Sequence, residues 1–166
     1  MVRPRGRVGF TFIEAMLTVA VLGILATMSA QILLQVNRYF IMSRTRLDLQ
    51  REARAVMYVV TRGLRQAQSD SILIDRAATS QPFYSRITFT KIQGTTMSFN
   101  QSGADLVMTV GTKTQTLSKN VRYLAFSFPR SDQLSIVSVS LTLEGLIYEG
   151  RKKALHMASE KVRVMN

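Results

Sequence analysis

One carboxylate stands apart in this chain. Glu14 opens an apolar run in which no charged residue occurs from Ala15 to Leu34. An ionised carboxylate at membrane depth costs at least ~2.5 kcal/mol on insertion scales, and more when unpaired. Glu14 therefore calls for a cation, or must snorkel to the membrane interface. Within one helix it lies a single turn from Phe10. The other groups able to do chemistry are few. His156 is the only histidine, and a lone imidazole makes neither a triad nor a metal site. Asp70 and Asp75 lie five residues apart without the oxygen-rich cluster that calcium needs. There is no cysteine, which removes disulfides, thiolate ligands and thiol catalysis. No phosphate-binding glycine loop or nucleophile elbow occurs, so no enzyme and no cofactor are expected. Arg151-Lys152-Lys153 is the densest basic run. It reads as a solvated loop, or as a contact patch for DNA or another anionic surface. Tyr148 is the only aromatic residue near it that bases could stack on.

The elements that hold Glu14 follow from hydropathy. Twenty helical residues rise roughly 30 Å, the thickness of a bilayer's hydrocarbon core, and Ala15 to Leu34 is a stretch of that length. Arg3, Arg5 and Arg7 precede it, an arrangement that keeps the N-terminus in the cytoplasm by the positive-inside rule. The formal charge is +12, or +9 without those three arginines. A cleaved secretory signal fits poorly. The run is too long, it contains Glu14, and Met28-Ser29-Ala30 is a weak cleavage site. An uncleaved single-pass anchor explains the orientation but not Glu14.

The segment Gly9-Phe10-Thr11-Phe12-Ile13-Glu14, after a basic leader and before an apolar stretch containing Gly23-Ile24-Leu25-Ala26, resembles the class III leader of type IV pilins and pseudopilins. The resemblance implies cutting after Gly9 by a prepilin peptidase and methylation of Phe10. It also implies that Glu14 pairs with the Phe10 amine of a neighbouring subunit during assembly. Many major pilins carry a proline where Gln31 stands. Here no proline lies between Pro4 and Pro82, so the helix is expected to run unbroken. Gly23 lowers helix propensity but permits close helix packing. The segment Arg62-Gly63-Leu64-Arg65-Gln66-Ala67 and the ending Val162-Arg163-Val164-Met165-Asn166 look like sequences of J-type and W-type minor pilins. Met165 replaces an arginine of that ending.

Helical periodicity continues beyond the apolar run. Tyr39, Met42, Leu49, Ala53, Val56, Val60, Leu64 and Ala67 form one stripe, with Arg44, Asp48, Arg51, Glu52, Arg62 and Arg65 on other faces. The helix is expected to end between Gln68 and Ser71. The period then changes to two, around Ile87/Phe89, Met97/Phe99, Leu106/Met108/Val110, Leu124/Phe126/Phe128 and Val137 to Leu143. Ala154 to Val164 reads as a final strand or a short helix, the strand being favoured, after a loop at residues 150–153. The expected class is α+β, the pilin fold: a long N-terminal helix, membrane-spanning in its first half, packed on a C-terminal antiparallel sheet. The expected divisions are leader 1–9, membrane and assembly segment 10–36, amphipathic helix 37–70 and β head 71–166.

The resemblance implies a non-enzymatic minor pilin or pseudopilin, processed at Gly9 and held in the cytoplasmic membrane with its head outside. It would then enter a type IV pilus, a type II secretion pseudopilus or a DNA-uptake filament, within an initiating tip complex. Implied partners are other pilin-like subunits, the prepilin peptidase, the inner-membrane assembly platform and the membrane. Two alternatives stand beside this reading: a DNA-binding receptor subunit on such a filament, and the uncleaved anchor.

Overall fold

The computed structural model describes residues 9–130, 132–148 and 152–164. A single helix, α1, runs unbroken over Phe12–Arg65. By its internal contacts the chain divides into two compact units between Ile41 and Met42.

In the first unit α1 begins with a cap. The Thr11 hydroxyl accepts the Glu14 backbone N–H at 3.3 Å and lies 3.5 Å from Glu14 Oε2, to which it donates. Thr11-x-x-Glu14 is a capping-box spacing, and it satisfies a donor that the helix itself leaves without a partner. Every described residue from Gly9 to Phe40 is exposed.

In the second unit the other half of α1 packs on antiparallel β-sheet, as its stripe requires. Leu49, Ala53, Val56, Val60, Leu64 and Ala67 are all buried. Met57 and Gly63 join them. Gly63 lets the helix approach the sheet: a Cβ there would lie 3.2 Å from two ring atoms of Phe99 and 3.3 Å from Met97 Cε. The helix stops three residues short of the expected range, and the sheet is the cause. Gln68 N–H donates to Thr90 O at 2.9 Å, Ile92 N–H donates to Gln66 O at 3.0 Å, and Ala67 bridges to Lys91. A 3-10 turn at Ser69–Ser71 follows.

The expected single antiparallel sheet is two. The first is five-stranded, in the order β1 (Leu73–Asp75), β2 (Arg86–Thr90), β3 (Thr96–Ser102), β4 (Asp105–Val110), β5 (Lys113–Ser118). The second is three-stranded, in the order β6 (Val121–Ser127), β7 (Ile136–Tyr148), β8 (Lys152–Arg163). Two-residue turns join β3 to β4 and β4 to β5. Gly103 and Gly111 stand first in them at φ 61° and 58°, the left-handed backbone that tight hairpins require. The final strand falls where it was expected. Lys152 and Lys153, expected in a loop, already belong to β8.

Between the two sheets one buried side chain replaces strand pairing. Gln101 Oε1 accepts the Leu124 backbone N–H at 3.0 Å, while its Nε2 donates to Gly103 O at 2.9 Å and Arg122 O at 3.4 Å. Val121 N–H donates to Ala104 O and Phe126 N–H to Tyr84 O. The inward edge of β6 is thereby satisfied without a ladder. Phe89, Phe99, Leu124, Phe126, Val139 and Leu141 fill the core beneath.

Candidate functional site

The residues singled out by sequence lie in two places. Gly9, Phe10, Glu14 and Gly23 all belong to the first unit. Phe10 is 78% exposed. A Cβ on Gly23 would meet nothing within 4 Å, so this position is open. Phe12, Ile13, Leu17, Leu22, Ile24 and Leu33 are all more than half exposed. Each side chain of this size gains roughly 1.5–3 kcal/mol on leaving water, so over the whole stretch the pull toward an apolar surrounding is on the order of tens of kcal/mol. α1 is long and apolar enough to cross a membrane: its most apolar window has a mean hydropathy of 2.1, and none of that window is buried.

Glu14 sits in the first turn of α1. There the helix's own N–H groups favour negative charge, and Thr11 fixes the carboxylate's reach. The Thr11-x-x-Glu14 spacing in the sequence is the signal for this cap.

The expected basic patch fares differently. Arg151 lies outside the described residues, as does the side chain of Lys152. Lys153 is engaged: its ammonium pairs with Glu144, whose other oxygen is held by Arg122. Lys153 first and Arg122 second hold the Glu144 carboxyl below the ordinary carboxylate range. The three residues come from β8, β7 and β6 and tie the small sheet together across its outer face. Asp75 is on β1 and directly opposite Arg86 on β2. Arg86 Nε donates to Asp75 Oδ1 at 2.6 Å and its Nη2 to Oδ2. That hydrogen bonding holds the Asp75 carboxyl low. Both carboxylates are thereby committed to cross-strand structure. Asp70 stays apart on the 3-10 turn, and His156 lies half-buried on β8. Among the described residues no group of three or more acidic or histidine side chains could hold a metal.

No family model, curated protein or solved structure matches this chain. Its chemistry is therefore read from its own residues. They offer an exposed apolar helix with a capped carboxylate at its start, and a β unit whose ion pairs are structural.

Proposed function

We propose that this chain is a structural subunit of the minor pilin or pseudopilin kind, not an enzyme. It would be inserted once in the cytoplasmic membrane, cut after Gly9 and built into a filament. The observation that carries this reading is Glu14 at the first turn of a helix whose first half is entirely exposed and predominantly apolar. An anchor needs the apolar length and gains only a helix cap from the carboxylate. An assembly helix uses both: the apolar side chains pack against neighbouring helices, and the carboxylate receives the amine that cutting creates on Phe10 of the next subunit. Thr11 lies beyond the cut, so the cap survives processing. The leader arginines set the orientation.

Cross-linking in native membranes tests this reading. The wild-type chain is expected to cross-link to neighbouring subunits through positions near Phe10. Glu14→Val should still be cut but lose most of that product, because the pair and not the apolar packing selects the register. Undiminished cross-linking of Glu14→Val would remove the ion pair from the account.

The head's net positive charge leaves a DNA-binding receptor as the second reading. A salt-dependent mobility shift of duplex DNA by the full chain would favour it. Absence of a shift at low salt would exclude it.

A further inference from the structure

The second half of α1 buries one face and presents another to solvent. On the outward face Arg44, Arg51, Tyr58 and Arg65 stand seven residues apart. Leu47 and Arg54 follow the first two by three, and Arg62 follows Tyr58 by four. These spacings draw a single seam roughly 30 Å long. Its centre lies opposite the buried Ala53, Val60 and Leu64. Tyr58 is 64% exposed and Leu47 51%. The only acid in the seam is Asp48, which lies 3.8 Å from Arg51 with both side chains well exposed. Among the described residues no ion pair reaches Arg54, Arg62 or Arg65. All the cations of α1 are arginines, whose planar fork matches carboxylates two bonds at a time.

We infer that this seam docks an acidic amphipathic helix of a different chain, one that carries Asp or Glu at seven-residue spacing with apolar residues between. Side chains seven apart, with others three or four on, share one face of a helix, so a partner helix laid along this face meets them in turn. A helix laid there pairs its carboxylates with Arg51, Arg54, Arg62 and Arg65 and covers Leu47 and Tyr58. A nucleic-acid backbone would take the arginines but leave Leu47 in water. A second copy of this seam cannot serve. The only acids of α1 are Glu14, Asp48 and Glu52, so two such seams would oppose arginine to arginine. The subunit is accordingly one that meets unlike neighbours along this face.

The test uses the full chain in detergent micelles, with the leader uncut, so its outcome is separate from that of processing. The probe is a synthetic helical peptide of about 28 residues, four heptads long, with Glu at every first position and Leu at every fourth. The same peptide with Gln for Glu, one with Lys for Glu, and duplex DNA serve as comparators. Exposed pairs are worth a few tenths of a kcal/mol each, so the Glu peptide should bind on the order of tenfold tighter than the Gln peptide, and less so at high salt. Replacing Arg51, Arg54, Arg62 and Arg65 by Glu should abolish that preference and transfer it to the Lys peptide. If the fourfold variant does not fold, Arg54→Gln with Arg62→Gln should still reduce the preference by about half on a logarithmic scale. Equal binding of the Glu and Gln peptides, an unchanged preference in the variants, or tighter binding of DNA than of the Glu peptide would overturn the inference.

Discussion

Replacing Gln101 by Met keeps the length of the side chain and deletes both of its polar ends. The buried backbone N–H of Leu124 then has no acceptor, because Gln101 Oε1 is its partner at 3.0 Å. Leu124 is 1% exposed, which leaves water little access to that group. A buried donor stripped of its partner costs about 1–3 kcal/mol. The Nε2 side loses less. Gly103 and Arg122 are exposed residues, so water can take over at their carbonyls. The expected loss is therefore ~2 kcal/mol. For a unit of this size that corresponds to a melting temperature lower by roughly 6–10 °C. The assay is thermal unfolding of the full chain in micelles, followed in the tyrosine near-ultraviolet band, with amide exchange at Leu124 alongside. Gln101→Glu provides the counter-test. It keeps the acceptor but turns a carboxylate oxygen toward the carbonyls of Gly103 and Arg122, so relative to the parent it should gain stability as the pH falls and the acid becomes a donor. A Gln101→Met variant that melts with the parent and protects its Leu124 amide equally would refute the idea that this side chain joins the two sheets.

Three further outcomes follow from the same structure. Gly63→Leu should destabilise the β unit by ~2 kcal/mol or more, because its Cβ alone already crowds Phe99 and Met97; Gly23→Leu, which faces open space, should leave that unit's melting unchanged. Asp75 and Glu144 both have lowered pKa values in the folded chain, so the stability they contribute is present above the ordinary carboxylate value near 4 and is lost as the pH falls through their folded values. A pH titration of urea midpoints should show that acid loss, and Asp75→Asn with Glu144→Gln should flatten it. Thr11→Ala should cost the first turn of α1 about 1 kcal/mol, seen as roughly fivefold faster amide exchange over Phe12 to Ala15 in micelles.

Periodicity made the helix and five of the eight strands legible, together with the final strand as the favoured reading of the tail. The reason is that each of these elements buries one face. Two strands left no such trace. β5, Lys-Thr-Gln-Thr-Leu-Ser, is an edge strand exposed over most of its length, so neither of its faces needs to be apolar. β1 has three residues, too few for a period to show. The break into two sheets was also hidden, because it depends on one glutamine meeting backbone more than twenty residues away. The helix end was misplaced for a similar reason: Gln66 and Gln68 remain good helix residues, and only their hydrogen bonds with the backbone near β2 draw them out. At the candidate site, Glu14 stood out by its cost in an apolar run, while the Thr11 cap that positions it was equally readable from spacing. Lys153 looked like part of a free basic run because its partner Glu144 lies on another strand.

A cut between Gly9 and Phe10 would give Glu14 its cationic partner. Intact-mass and N-terminal mass spectrometry of the chain, co-expressed with a prepilin peptidase and compared with a peptidase-free control, tests it most directly. The expected result is loss of residues 1–9 and one added methyl on Phe10, in the peptidase sample alone, with a bulky replacement of Gly9 blocking both changes. A chain that keeps its leader in both samples would contradict it.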